Sequence, residues 1–282
     1  DELTEGFSEQ EIDLLYNIIQ DAHKAGTSII YTTHNYVEAM RFCNRLQVLR
    51  EGMLVAEFSR PYYDRKIIRN AVYQTDTTKV ANEMSVNNSS SMNEMIPIFE
   101  VRHINSEHIN DASFVLNKGE ILGITGFAGS GKTELAKCIG GFTSNYTGEI
   151  ILHGKHISCH SPKQAIANKV CLCPEDRKEM LLTPSQSIKM NLSMMVLERI
   201  SKWFFIKKKK ESILAEEYCK LFNIEKGIDC KIGELNNALL AKISIAKCMV
   251  ANPHILILDE PTRELDQYGV KDLCRILGEI SK

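Results

Sequence analysis

The octet Gly126-Phe127-Ala128-Gly129-Ser130-Gly131-Lys132-Thr133 has the spacing G-x-x-x-x-G-K-[ST]. Glycines at these places let successive backbone N–H groups converge on phosphate oxygens at the start of a helix. Lys132 then reaches the outer phosphates, and the Thr133 hydroxyl is of the kind that holds Mg²⁺. A second chemical pair, Asp259-Glu260, ends the apolar run Ile255-Leu-Ile-Leu258. Its two carboxylates suit separate tasks: Asp259 holds the metal and Glu260 polarises the attacking water. A third candidate, His34, follows the apolar run Ser28–Thr33. At that place a histidine either packs as an ordinary helix-start residue or orients a reacting group; beside the other motifs the second reading is preferred. The three together predict binding of a nucleoside triphosphate with Mg²⁺, and its hydrolysis.

Such groups need strands that end at one edge of a sheet. Ile121–Thr125 reads as a buried strand feeding the glycine loop, with a helix continuing through Glu134–Ile139. Ser28–Thr33 and Ile255–Leu258 read as further buried strands, and open α/β sheets place their chemistry at the C-terminal ends of such strands. Tyr36–Cys43 is expected to be helical. Leu46–Leu49 and Met53–Phe58 read as a hairpin turning at Glu51-Gly52. Ser8-Glu-Gln-Glu11 is a capping box ahead of a helix that Gly26 stops. Pro162–Ala167 suggests a short helix, Val170–Cys173 a strand, and Ser185–Glu225 a mainly helical stretch. Within that stretch, Trp203-Phe-Phe-Ile206 runs into four lysines; such a junction either touches a membrane or partner or is a solvated helix end beside a packed aromatic patch, and the second reading is preferred.

Asp1-Glu-Leu-Thr4 repeats Asp259-Glu-Pro-Thr262 at an offset of 258 residues, and Ile12, Leu15 and Ile18 match Val270, Leu273 and Ile276. The chain therefore spans about one period of a tandem repeat and is expected to be a fragment of a protein about twice as long. A polar, aromatic-free stretch from Thr75 to Met95 reads as the linker between copies.

The 282 residues, 44% hydrophobic and 25% charged, suit a globular chain of one to two domains. The net charge of −2 offers no broad basic field, which argues against nucleic acid as a partner. Nine scattered cysteines fit a reducing compartment. Cys171 and Cys173 fall on one strand face and read as core, and His153, His156, Cys159 and His160 lack the tight ligand pairing of a structural zinc site.

With Lys118-Gly-Glu-Ile-Leu-Gly123 running into the loop, Pro174-Glu-Asp-Arg-Lys178, and Asn252-Pro-His-Ile-Leu-Ile-Leu-Asp-Glu-Pro-Thr-Arg263, the chain resembles the ATP-binding subunits of ABC-type importers. More narrowly it resembles the double-domain ATPases that power ribose, galactose, xylose and autoinducer-2 uptake. The resemblance covers nearly the whole chain. It implies an α/β fold of ABC ATPase type, carrying an antiparallel β subdomain and a helical subdomain. Residues 1–74 would be the end of a first ATPase domain, 75–95 a linker, and 96–282 most of a second.

The resemblance implies ATP and Mg²⁺ as cofactors, with loop residues Gly126 to Thr133 on the phosphates. Glu175 stands where a Gln usually senses the γ phosphate, and Asp266 matches the Asp of a loop that communicates between paired domains. Glu260, with Glu2 in the first copy, would be the catalytic carboxylate, and His34 the first copy's switch histidine. The partners implied are transmembrane permease subunits, indirectly a sugar-binding protein, and a second ATPase domain, at the cytoplasmic face of the cell membrane. A nucleotide-binding regulatory module with little turnover is the alternative.

Two features depart from the family pattern. The signature LSGGNQQK stands here as Leu235-Asn-Asn-Ala-Leu-Leu-Ala-Lys242, so the Ser and both glycines that press on a γ phosphate across the dimer are absent. Loss of one hydrogen bond to a charged group weakens a site by about 1.5–3 kcal/mol. The adenine-stacking aromatic is also not evident: Phe114 lies late, and His103 or His108 are poor substitutes. Because His34 and Lys132 would serve different copies, neither site is expected to be complete in one chain. The purified chain is thus expected to bind MgATP weakly with almost no turnover, and steady-state phosphate release checks it.

Overall fold

In a computed structural model the structure describes residues 28–73, 96–202, 205–222 and 224–261. The capping box at Ser8, the linker at 75–95, and Glu2 and Asp266 lie outside the described residues.

The central sheet gathers β1 (Ser28–Thr33), β2 (Arg45–Arg50), β3 (Met53–Ser59), β6 (Ile121–Thr125), β9 (Val170–Cys173) and β12 (Ile255–Asp259) in the order β3-β2-β6-β1-β12-β9. All pairs are parallel except β2 with β3, the hairpin. Strands β1, β6, β9 and β12 are buried at every position. Continuous apolar runs of this kind suit a parallel sheet covered on both faces. Ile29, Tyr31, Leu256 and Leu258 enter one core, while Ile30, Leu122, Ile124, Ile255 and Ile257 enter the other. Alternation along the strand sends neighbouring side chains to opposite faces.

A second sheet, order β5-β4-β7-β8, is antiparallel and comprises β4 (Pro97–Ser106), β5 (Ile109–Asn117), β7 (Thr147–Leu152) and β8 (Lys155–Ile157). In β5, Ile109, Ala112, Phe114 and Leu116 are buried while Asp111, Ser113 and Val115 are exposed, the period of a sheet with one wet face. The two sheets are tied at Glu120. Its carboxylate accepts Arg45 Nε–H of β2 at 2.6 Å and both the backbone and side-chain N–H of Asn117 at 2.7 and 2.9 Å.

Helices cover the sheets: α1 (Tyr36–Phe42), α2 (Arg65–Tyr73), α3 (Lys132–Ile139), α4 (Pro162–Ala167), α5 (Arg177–Met180), α6 (Ile188–Ser193), α7 (Leu197–Ile200), α8 (Lys208–Leu221) and α9 (Asn237–Val250). The last group forms the helical subdomain. Helix α9 is buried on nearly all sides through Leu240, Ala241, Ile243, Ile245, Ala246, Cys248 and Val250. Its buried polar groups find carbonyls: Ser244 Oγ donates to Leu240 O at 2.7 Å and Lys247 Nζ to Leu181 O at 2.7 Å. Cys171 and Cys173 meet Cys248 in this core.

One expectation changes. The stretch Ser185–Glu225 is interrupted by a small antiparallel pair, β10 (Ser201–Lys202) with β11 (Phe205–Ile206). Aromatic and β-branched residues there favour a pleated strand over a helix end. Strands from both sides of residues 75–95 share the central sheet, β1, β2 and β3 interleaving with β6, β9 and β12. Strand β1 lies beside β12 in space, with Thr32 paired to Asp259.

Ile30 is almost fully buried between β6 and β12. Ile30→Ala is expected to lower unfolding free energy by about 2–5 kcal/mol, read from the shift of the urea midpoint.

Candidate functional site

Registers across the parallel strands bring the motifs to one edge. Thr33 pairs with Thr125, Thr32 with Asp259, and Leu258 with Cys173. Each strand then leaves the sheet at the same level, delivering Gly126, His34, Glu260 and Glu175 in adjacent positions.

The loop after β6 turns into α3. Gly131 takes φ 95°, and a Cβ there would stand 2.6 Å from His108 O; a Cβ on Gly126 would overlap Leu49 O. Only glycine fits both places. The β2–β3 turn braces this loop from outside, with Gly52 N–H donating to Ser130 O at 3.0 Å and Asn110 N–H to Gly52 O at 2.8 Å. Glu51 and Gly52 both lie in the left-handed region, at φ 49° and 77°. The N-terminus of α3 has no side-chain cap, so its first N–H groups remain a cradle for an anion. Lys132 is buried and its Nζ donates to Gly126 O at 2.7 Å, Phe127 O at 2.8 Å and Ser130 Oγ at 3.3 Å. Burial lowers the pKa of this ammonium, while Glu260, Asp259 and Glu134 pull it back up.

Phe127, Ala128 and Gly129 are exposed at the loop's rim. The Phe127 ring meets the Tyr73 ring edge-on at 5.0 Å, and Tyr73 meets Tyr36 at 6.1 Å. Of the aromatic candidates for base stacking, Phe114 is buried in the antiparallel sheet. His103 is exposed and engages Asp111 at 2.6 Å, and His108 is exposed next to Gly131.

Asp259 is buried at the end of β12. Its Oδ1 accepts the Thr32 hydroxyl at 2.6 Å and lies 3.4 Å from Thr133 Oγ1. Its Oδ2 is buried and, among the described residues, has no hydrogen-bond partner. An orphaned carboxylate oxygen is costly unless something else occupies it, and a hard cation does so. The residues therefore fit Mg²⁺. Among the described residues no group of three or more His, Cys, Asp or Glu side chains forms a metal cage. That suits an ion held by few protein ligands and by substrate phosphates. Burial pushes the Asp259 carboxyl above its ordinary 3.8, with Thr32 and Thr133 opposing.

Glu260 departs from the strand with φ 44°, a left-handed backbone that is strained by about 1–3 kcal/mol for a residue with a Cβ. Three bonds hold it there. Its N–H donates to Thr32 O at 3.1 Å, while Arg177 Nη2 donates to Glu260 O at 3.3 Å and Pro261 O at 2.7 Å. The Glu260 carboxylate accepts His34 N–H at 2.8 Å, and His34 Nδ1 stands 3.0 Å from each of its oxygens. His34 is half exposed whereas Glu260 is nearly covered.

His34, Lys132, Thr133, Asp259 and Glu260 thus form one constellation. The expectation that the histidine and the lysine would not meet in one chain is corrected: β1 pairs directly between β6 and β12. Glu175 is half-buried just past β9, where its carbonyl accepts Arg177 N–H at 3.1 Å. In the altered signature, Asn236 caps α9 by accepting Leu239 N–H at 2.9 Å, and Lys178 Nζ donates to Asn237 at 3.3 Å. Sequence reasoning missed Thr32, Gly52 and Arg177 as supports. Arg177 alone had a signal, since a buried arginine inside Pro174–Lys178 must find acceptors.

The family model described as ABC transporter matches residues 109–263. The chain belongs to the ABC transporter family. The xylose import ATP-binding protein of Ralstonia nicotianae is 28% identical over 285 residues, covering 100% of this chain and 55% of its own. The ribose import ATP-binding protein of Halalkalibacterium halodurans is 32% identical over 287 residues, covering 100% of this chain and 56% of its own. The chain spans about half the length of these curated relatives. A nucleotide-free ATP-binding cassette from an ABC transporter superposes with a TM-score of 0.53 at 20% identity, covering 63% of this chain and 74% of that one. A Clostridium perfringens protein that is part of an ABC transporter complex gives 0.53 at 23%, covering 66% and 74%. The fold is that of an ABC ATPase cassette, and its described helices include none long and apolar enough to cross a membrane.

Two tests follow from this geometry. Arg177→Ala leaves two carbonyls without their donor and is expected to cost about 1–3 kcal/mol in urea unfolding, with Arg177→Lys recovering part of it. The raised Asp259 pKa means the fold prefers the protonated carboxyl. Its cost is absent below the unfolded value of 3.8 and is complete once pH has passed the raised value. Asp259→Asn is expected to raise the melting temperature of the nucleotide-free chain at neutral pH, with the gain shrinking toward pH 4; melts across pH check this.

Proposed function

We propose that the chain is the ATP-binding and ATP-hydrolysing part of a subunit that energises monosaccharide import through an ABC transporter. The observation that carries this reading is the contact of His34 with Glu260 beside Lys132, Thr133 and Asp259 at one sheet edge. The kinship with xylose and ribose import ATP-binding proteins supports the sugar class. The partners proposed are transmembrane permease subunits, indirectly a sugar-binding protein, and a second ATPase domain, at the cytoplasmic face of the cell membrane. Within the longer protein, 1–74 would close one ATPase domain, 75–95 would link, and 96–282 would form most of the next.

In the proposed reaction, loop amides from Gly126 to Thr133 bind the phosphates of ATP. Lys132 exchanges its carbonyl partners for anionic oxygens, a stronger charge-assisted pairing. Glu260 accepts a proton from the attacking water as general base. His34 donates Nδ1–H to Glu260 and so keeps its carboxylate oriented, leaving Nε2 for the substrate. Thr133 and Asp259 would hold Mg²⁺, which when bound neutralises charge on the phosphate oxygens. Glu175 would sense the γ phosphate, and Asp266 would communicate with the paired domain.

The altered signature favours a second reading, a nucleotide-binding regulatory module with little turnover. Asn236 spends its side-chain oxygen on capping α9, so the hydroxyl that would reach a γ phosphate has no replacement there. Glu260→Gln separates the readings in the full-length protein. For an ATPase, hydrolysis falls about 10²–10⁴-fold with ATP binding retained, and transport stops. If the variant transports sugar like the parent, the leading reading fails.

A further inference from the structure

The β10–β11 hairpin and the start of α8 carry an unusual surface. Phe205 is 78% exposed and Ile213 53%. Between them Lys207, Lys208, Lys209 and Lys210 are all exposed, and among the described residues none pairs with a carboxylate. The register Lys202↔Phe205 makes the segment a tight hairpin, and Lys207 N–H closes it by donating to Ile200 O at 3.0 Å. Helix α8 then begins on lysines, without a side-chain cap.

This placement opposes local stability. Cations at a helix N-terminus face the positive end of the helix dipole, where acidic residues are favoured. The first-turn acid, Glu211, offers no relief at the surface. It is buried and accepts Ser193 Oγ–H at 2.8 Å. Four mutually repelling lysines in that position, next to an uncovered aromatic ring, gain most from an external anionic surface. Lys209 and Lys210 precede Ile213 by four and three residues, so they share its helix face.

We propose that Phe205, Lys207–Lys210 and Ile213 form a docking face for an anionic lipid bilayer. Aromatic rings settle at the headgroup level, and lysine clusters bind acidic headgroups without defined geometry. Lysine is a point charge rather than a planar fork, and all four lysines are exposed, so a diffuse lipid surface suits them better than a specific acidic peptide. The chain's net charge of −2 makes the attraction local to this face. The contact needs neither nucleotide nor permease, so its failure and the failure of the ATPase reading are separable.

The test is co-sedimentation of the 282-residue chain with vesicles of phosphatidylglycerol mixed with phosphatidylcholine, and with phosphatidylcholine alone. Binding to the anionic vesicles alone, weakened by salt, is expected. Replacing Lys207, Lys208, Lys209 and Lys210 by Ala should weaken it about five-fold per lysine. Phe205→Ser should weaken it while keeping the salt dependence. All five side chains are exposed, and far-UV circular dichroism verifies the fold of each variant. Trp203, the chain's only tryptophan and two residues before Phe205 in sequence, should shift its emission to shorter wavelength on anionic vesicles. The proposal is overturned by absent sedimentation, by equal binding to neutral vesicles, by an unaffected four-lysine variant, or by capture on DNA or an acidic peptide without vesicle binding.

Discussion

The site depends on one pairing, that of β1 with β12 in the register Thr32↔Asp259. From it follow three contacts that no local sequence preference could supply. Thr32 gives its hydroxyl to the Asp259 carboxylate, Thr32 O receives the Glu260 amide, and His34 arrives opposite the Glu260 carboxylate. A slip by one residue would turn Thr32 to the other face of the sheet and leave the buried Asp259 only its long bond from Thr133 at 3.4 Å. Buried parallel strands resist such slips because every side chain on both faces is already packed.

Around that pairing the protein holds its reactive groups in unfavourable states. Asp259 is desolvated, Lys132 is desolvated, and Glu260 has a left-handed backbone. Each is compensated nearby: Thr32 and Thr133 at Asp259, loop carbonyls at Lys132, and Arg177 at Glu260. Strain and burial concentrated at one edge, with ordinary packing elsewhere, mark a surface built to exchange its own contacts for a ligand's. The β2–β3 turn adds rigidity, since Gly52 lies so close to His108 O that no side chain would fit between it and the start of β5.

Chain order and sheet order also differ. Strands β1, β2 and β3 precede the glycine loop in sequence, yet they occupy the positions that follow the Asp-Glu motif in a copy's own order. The packing energy depends on which faces meet, and chain order enters only through the loops.

Much was legible locally. The octet from Gly126 to Thr133, the apolar strands at Ser28, Ile121, Val170 and Ile255, the hairpin at Glu51-Gly52 and the alternation in β5 all follow from near-neighbour rules of backbone geometry and burial. These decided the fold class and named the reactive residues. What they could not decide was proximity. That His34 meets Glu260 and that Arg177 reaches over to Pro261 O are outcomes of packing between segments far apart in sequence. The hairpin at Ser201–Ile206 was misread for the same reason, because a short aromatic run has no period by which helix and strand differ. Sequence sets which surfaces are apolar and which turns are possible; only the closed sheet determines which ends of which strands share an edge.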